Sequence, residues 1–303
     1  MRIASTQYQD TMLNALQNAN AGLQTVTAQM ASGQRVMRPS DDPITTVRLS
    51  RMSREEATIK QYRDNIGTLS TRLTQNETGL SSLVQDMLQA RDLLVWAQNG
   101  TNTSADAAAM SGSLVALRDS LLYTSNSKDQ EGLSLYSGTL SNTATVTYNA
   151  SAAVGSRYTS TGNTATQQVV VGDGVTQAAN VTLTEMSTFL NQLDSAIQTL
   201  QTPGVNVNAP ATQAVLTSAL DGLDLTLSSV NGKIGALGGA QTILATLDRN
   251  HGNVSVSNQQ AMITLGQLDY GEAATRLTGY TTALQATQKA YAKVSGLSLF
   301  NLL

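Results

Sequence analysis

Residues 12–30 read MLNALQNANAGLQTVTAQM, and residues 263–294 read ITLGQLDYGEAATRLTGYTTALQATQKAYAKV. In both segments apolar side chains recur in steps of three and four. This is the spacing of a helix that presents one narrow apolar stripe to a partner helix. Matched stripes at the two ends predict that the termini lie side by side and serve assembly rather than a ligand pocket. In order, the stripe positions are Met12, Leu16, Ala19, Leu23, Val26, Met30, then Ile263, Tyr270, Ala273, Leu277, Tyr280, Leu284, Tyr291 and Val294.

Ten of these stripe positions form the predicted assembly interface. The interface residues are Met12, Leu16, Leu23, Val26, Met30, Leu277, Tyr280, Leu284, Tyr291 and Val294.

The first helix is predicted over about 7–34, and it has an unusual polar face. No charged residue occurs from Thr11 to Gln34, whereas a solvated helix normally carries Glu and Lys off its apolar stripe. An uncharged face is easier to desolvate, so it suits a helix surrounded by other helices. A weakly stable solvated helix is the alternative interpretation of the same feature.

Composition excludes several classes of protein. The chain has 303 residues, no cysteine, one histidine and a net charge of −3, with 41% apolar and 4% aromatic residues. Scarce aromatics favour thin, elongated helical packing over a thick core. Without cysteine there are no disulfides or thiolate metal sites. The net charge gives no basic field to attract nucleic acid, and no apolar run is long enough to span a bilayer, so we expect no nucleic-acid or membrane partner. Residues 1–10 lack the apolar core of a secretory signal peptide.

The interior of the chain alternates between long helices and a β-rich segment. Asp42 is a good N-cap and Pro43 a good first helical residue for a long helix over about 43–99. Shorter helices are predicted over about 104–126 and from about 184, and a second long helix from about 211 to 249–252. Both long helices carry apolar residues in steps of three and four, from Ile59 to Leu94 on the first and from Leu216 to Leu244 on the second. Strand patterns occur at 145–148, at 168–175 with a turn at Asp173-Gly174, and at 180–183.

These elements predict a mainly α fold, an elongated antiparallel helical bundle or coiled-coil rod with a small β-rich insertion. The domain boundaries follow from the same pattern. We expect an N-terminal assembly helix and linker over 1–42 and the N-terminal half of the rod over 43–132. The insertion then covers 133–183, the C-terminal half of the rod 184–252, and the C-terminal assembly helix 253–303.

Catalytic chemistry is not supported by the residues present. His251 is predicted at a helix end as a surface residue, and one histidine without cysteine cannot build a zinc site or a Ser-His-Asp triad. Asp41 and Asp42 are explained by a turn and a cap, and Trp96 by packing on the rod. We therefore predict a protein that is not an enzyme and that has no catalytic, cofactor-binding or metal-binding residues.

Several ordered motifs resemble the bacterial flagellin family. Residues 32–36 read SGQRV, residues 39–43 PSDDP, residues 62–66 YRDNI, residues 230–235 VNGKIG and residues 297–300 LSLF. The resemblance covers both terminal helical regions and leaves about 140–185 without a counterpart. The opening MRIAST, residues 132–138 (GLSLYSG) and the LSLF ending are similar to family members that join the hook to the filament. Tyr136 stands where those members often have Phe.

The resemblance implies a structural role at the hook–filament junction of an extracellular flagellum. It implies a ring of subunits that contacts the other hook–filament junction protein on one side and flagellin on the other. It also implies export through the flagellar type III apparatus, without a cleavable signal peptide, after a cytosolic flagellar export chaperone has held the C-terminal helix.

Three alternatives stay open from the sequence. A short flagellin would form the filament itself, and its abundance would distinguish it from a junction ring. A coiled-coil scaffold unrelated to motility is less consistent with the ordered motifs. An enzyme carried by the insertion is disfavoured because the insertion has no histidine, and its charged residues Arg157 and Asp173 are far apart in sequence.

Overall fold

The computed structural model describes the backbone of residues 2–296 and the side chains of residues 7–293. Over this range the protein is mainly α, as predicted, with a small β region between the third and fourth helices. The helices and strands are α1 (Arg2–Ser32), α2 (Pro43–Ala97), α3 (Ser104–Ser125), β1 (Val146–Tyr148), β2 (Tyr158–Ser160), β3 (Gln168–Gly172), β4 (Val175–Ala178), α4 (Met186–Leu200), α5 (Pro210–Gly266) and α6 (Tyr270–Gly296).

The chain forms two compact units. The first contains the residues up to Thr58 and those from Asn253 onward, and the second contains Ile59–Gly252. Both long helices, α2 and α5, contribute to each unit. The terminal helices α1 and α6 belong to the first unit and the β region to the second.

Within the second unit, α2 and α5 pack as an antiparallel pair. Arg63 lies 2.9 Å from Asp248, and Arg91 lies 2.9 Å from Asp224, so residue numbers rise along one helix as they fall along the other. The predicted apolar stripes meet between the helices and are buried. The α2 stripe contributes Ile66, Leu69, Leu73, Leu80, Leu83, Met87, Ala90 and Leu94, and the α5 stripe contributes Leu216, Leu223, Val230, Leu237 and Leu244.

The β region consists of two antiparallel hairpins. Strand β1 pairs with β2, with Thr147 opposite Thr159. Strand β3 pairs with β4 across the predicted turn, where Gly174 has a φ of +66°, a conformation that glycine adopts without strain. The strand predicted over 180–183 reduces to one isolated bridge between Thr182 and Ser137, while the Asn180 side chain bonds the backbone of Ala165 and Gln167. Strand β2 was not predicted, since it lies in Ser- and Thr-rich sequence without an apolar alternation.

Two buried polar contacts attach this β region to the helices of the second unit. The fully buried carboxylate of Asp194 on α4 accepts from Arg118 of α3 at 3.1 Å and from Arg157, which precedes β2, at 3.3 Å. The hydroxyl of Tyr136 donates to the backbone carbonyl of Asn76 on α2 at 3.2 Å. Burial raises the pKa of Tyr136 to about 12, so the hydroxyl stays a donor at neutral pH.

The single histidine and tryptophan do not lie where the sequence suggested. His251 lies within α5, its Nε2 is 2.9 Å from the carbonyl oxygen of Val171, and its ring packs against Tyr62. It therefore contacts the β3–β4 hairpin rather than marking a helix end. Trp96 is 57% exposed, so its interpretation as a packing residue is wrong for the described chain.

The end of α5 also differs from the prediction. The helix continues through Arg249–Gly252 to Gly266, because a single glycine costs a helix only about 1 kcal/mol and no proline follows it. In the first unit this continuation is supported by Glu56 of α2, which accepts hydrogen bonds from Ser255 and Gln259. The true break is at residues 267–269, where the Asp269 carboxylate caps α6 by accepting from the N–H groups of Gly271 and Glu272.

Candidate functional site

The candidate functional site is the packing of α1 against α6 in the first unit. Their antiparallel contact is fixed at one end by hydrogen bonds between the segment that follows α1 and the segment that joins α5 to α6. Gly33, with a φ of +69°, ends α1, and its carbonyl accepts from the N–H of Leu268 at 3.0 Å. In return, the N–H of Arg35 donates to the carbonyl of Gly266 at 2.8 Å. The backbone therefore sets the register in which the two stripes meet.

The linker between α1 and α2 is ordered by the SGQRV and PSDDP motifs. The Arg35 guanidinium donates to Asp42 at 3.2 Å and to the carbonyl of Leu265 at 3.3 Å. Asp42 caps α2 by accepting from the backbone and side chain of Thr45. These hydrogen bonds, the backbone one foremost, hold the pKa of Asp42 below its ordinary value. The predicted N-cap role of Asp42 is confirmed.

A small apolar cluster lies at the centre of the helix pair. Val26 and Ala273, from the two predicted stripes, are buried together with Leu268, and Met30, Leu277 and Tyr280 pack around them. The Tyr270 hydroxyl adds a hydrogen bond to the carbonyl of Met30 at 3.3 Å. The structure thus brings the inner parts of the two stripes into contact within one chain.

The outer parts of the stripes stay only partly covered. Met12, Leu16, Leu23 and Leu284 are half-buried, and Tyr291 is exposed. The side chain of Val294 lies outside the described residues. Ile263, which the sequence placed on the C-terminal stripe, lies on α5 and is exposed. Apolar surface remains available along the helix pair for contacts with other chains.

Sequence reasoning missed two residues of this site. Leu268 belongs to the break between α5 and α6, where no helical period can identify it. Gln29 is buried on α1, and its amide nitrogen donates to the carbonyl of Arg35 at 2.7 Å. No periodic signal predicts either residue, because both depend on the chain reversing at Gly33 and at residues 267–269.

Gly22 of α1 lies directly against the ring of Tyr280 on α6. A Cβ atom built at Gly22 would lie 2.5 Å from two ring carbons of Tyr280, too close for an ordinary contact. A Gly22→Ala variant is therefore expected to displace the tyrosine ring and to speed amide hydrogen exchange in α1 and α6. The matched control is Gly279→Ala, where a Cβ meets nothing within 4 Å.

The control variant is expected to change amide hydrogen exchange in the opposite direction. Alanine at Gly279 gains helix propensity of about 1 kcal/mol, which corresponds to roughly fivefold slower exchange in α6. Hydrogen-exchange mass spectrometry on both variants measures the two effects. Slower exchange in α1 with Gly22→Ala would show that close approach of the helices is not required there.

Neither a metal-holding cluster nor a membrane-spanning helix is found in the described part of the chain. No three His, Cys, Asp or Glu side chains among them are grouped in a way that can hold a metal ion. Of the helices between residues 2 and 296, none combines the length and apolar character that a bilayer span requires. What the site offers is an extended, partly covered helical surface.

Comparison with known proteins identifies the family. Residues 3–141 match the family model described as the bacterial flagellin N-terminal helical region. Over 318 aligned residues the chain is 28% identical to flagellar hook-associated protein 3 of Escherichia coli, covering 100% of this chain and 99% of that protein.

Solved structures agree with this family. A chain from Vibrio parahaemolyticus, assigned as a flagellar hook-associated protein, is 32% identical with a TM-score of 0.67, covering 74% of this chain and 99% of that one. The flagellar junction protein FlgL from Legionella pneumophila shares the fold, with 15% identity and a TM-score of 0.55 over 66% of this chain and 99% of that one. This chain therefore belongs to the bacterial flagellin family, in which its relatives include flagellar hook-associated protein 3.

Proposed function

We propose that this chain is a structural subunit of the bacterial flagellum that connects the hook to the flagellin filament through helical packing of its termini. The observation that carries the proposal is the partly covered stripe on the α1–α6 pair. Among the described stripe residues only Ala19, Val26 and Ala273 are buried within the chain, so the larger ones around them need neighbouring chains to complete their burial. The names of the relatives supply the flagellar setting.

The polar face of α1 supports the same role. Between Thr11 and Gln34 this helix carries amides, hydroxyls and alanines but no charge. Surrounding such a face with other helices requires no ion to be desolvated, and its amide groups can bond across the interface. The predicted interface, from Met12 to Met30 on α1 and from Leu277 to Val294 on α6, remains part of this proposal.

We further propose partners and a location consistent with that role. The subunits form a ring with one another, contact a second junction protein on the hook side, and contact flagellin on the filament side. Export occurs without a cleavable signal peptide and with a cytosolic chaperone, which places the mature protein outside the cell. In this proposal residues 1–42 and 253–303 are the assembly domain, 43–132 and 184–252 the rod, and 133–183 an insertion without enzymatic activity.

Deletion of the gene tests the proposed function against the short-flagellin alternative. The expected result is cells with intact hooks that secrete flagellin monomers into the medium, because the filament has no subunit on which to begin. Electron microscopy of the cells and immunoblots of the medium measure both properties. Hooks without filaments and without secreted flagellin would instead identify this chain as the filament subunit.

A further inference from the structure

A cleft with excess negative charge opens beside the break between α5 and α6 in the first unit. Its volume is about 610 Å³. Four carboxylates line it against two guanidinium groups, which leaves a formal charge of −2. The charged lining residues are Asp41, Asp42, Asp269, Glu272, Arg35 and Arg276.

Two hydrogen-bond acceptors in this cleft are uncommitted. The amide nitrogen of Gln29 faces the Arg35 carbonyl, which can only accept, and this fixes the orientation of the amide. Its Oε1 is buried and has no donor within the described part of the chain, although Gln29 is only 6% exposed. The Glu272 carboxylate, unlike those of Asp42 and Asp269, accepts no hydrogen bond from described residues. The excess of carboxylates, with Glu272 exposed and uncommitted among them, favours a cationic donor as ligand.

An apolar groove adjoins the cleft. Its volume is about 570 Å³, and Val36 and Gln267 line both cavities. The groove is otherwise lined mostly by apolar groups from α2 and α5, including Leu49, Met262 and Ile263. The first unit therefore presents an apolar and an acidic depression side by side, and an occupant must match both.

The exposed face of α2 has the complementary pattern. Ile44, Val47, Arg51 and Arg54 follow one another in steps of three, four and three, which places them within an arc of about 80°. Ile44 is 69% exposed and Val47 is 65% exposed. Arg51 pairs with Glu55, whereas Arg54 has no ion-pair partner among the described residues. We call these four residues the outer face of α2.

We propose that the outer face of α2 from a second copy of this chain docks on the groove and cleft. Ile44 and Val47 of that copy fill the apolar groove, and its Arg54 enters the cleft, where it pairs with Glu272. One copy cannot dock on its own groove and cleft, because Leu49 of α2 and the cap residue Asp42 already line them, and helix geometry puts the outer face on the opposite side of α2.

This inference rests on the proposed ring of subunits and specifies a contact in it. The two surfaces are different, so the contact is head-to-tail, and repetition leads to a ring or a helix rather than a closed dimer. The occupant must supply apolar side chains for the groove and a cation for the cleft, and the outer face of α2 carries both. A small cation would match the cleft but not the groove.

Chemical cross-linking tests the contact, because the chain has no cysteine of its own. Thr58 continues the outer face of α2 by one turn, and Thr275 lies one turn beyond Glu272; both are exposed. A Thr58→Cys/Thr275→Cys chain, expressed in the source bacterium lacking its own copy, is treated on intact flagella with a short bis-maleimide. The expected result is a ladder of covalent multimers that extends beyond the dimer.

Ser53→Cys/Thr275→Cys is the matched control, because Ser53 is exposed on the opposite side of α2 and lies beside the linker of its own copy. It should give at least tenfold less multimer. The proposal would be overturned if the products stopped at the dimer or contained a different flagellar protein. It would also be overturned if the control gave as much multimer as the Thr58→Cys/Thr275→Cys chain. Absence of the unmodified chain from flagella would instead refute the proposed function, and the docking contact would fall with it.

A charge exchange tests the pairing of Arg54 with Glu272. Arg54→Glu and Glu272→Arg are each expected to lower the amount of the chain in flagella about tenfold, and the double variant is expected to restore most of it. Lys60→Glu, an exposed charge reversal on the other side of α2, should have no effect. Failure of the double variant to exceed either single variant would overturn the assigned pair.

Discussion

Asp194→Ala is expected to lower the free energy of unfolding of the second unit by about 3 kcal/mol. The Asp194 carboxylate is fully buried and pairs with two arginines, of which Arg118 is 14% and Arg157 20% exposed. Removal of one partner of a buried ion pair leaves uncompensated charge, which costs about 3–5 kcal/mol. We expect the lower end of that range because Arg118 keeps its contact with Asp119 at 2.9 Å.

Urea denaturation followed by circular dichroism measures this loss. The control is Asp224→Ala, which removes an exposed ion pair with Arg91 and should cost at most about 1 kcal/mol. Replacement of Asp194, Arg118 and Arg157 together by Leu, Met and Met should recover most of the stability, since no buried charge remains. A loss of less than about 1 kcal/mol for Asp194→Ala would contradict this account.

Leu23→Asp is expected to reduce incorporation of the chain into flagella about 100-fold or more. Leu23 is a half-buried stripe residue on α1, and the proposed neighbours complete its burial. An ionised carboxylate in a helical interface loses several kcal/mol of hydration, and each 1.4 kcal/mol is a factor of ten in affinity. Leu284→Asp, on the stripe of α6, should have a similar effect.

Incorporation is measured by immunoblot of purified flagella against total cell protein. The control is Leu225→Asp, the same substitution at a leucine of α5 that is 74% exposed in the second unit. The thermal unfolding of the second unit should be the same in all three variants, since none of these residues belongs to its core. Normal incorporation of Leu23→Asp would contradict the assignment of the α1 stripe to assembly.

The long helices could be predicted closely because each carries many repeats of one apolar period. The predicted start of α2 at Pro43 and the predicted stripe from Ile66 to Leu94 agree with the structure. Short elements were predicted less well, since β2 lies in sequence without an apolar alternation and 180–183 forms one isolated bridge at Thr182 rather than a strand. The end of α5 was misplaced because Gly252 suggested a stop that the helix does not need.

The sequence by itself determined the fold class, the stripes and the absence of cysteine. These depend on spacing and composition, which are local properties of the chain. Tertiary structure alone decided which parts of the stripes are buried in one chain and which stay open. It also brought Gln29, Glu272 and Val36 together around two adjoining cavities, because the reversals at Gly33 and at residues 267–269 join segments more than 200 residues apart. No local pattern encodes such a meeting, since it depends on backbone hydrogen bonds between distant parts of the chain.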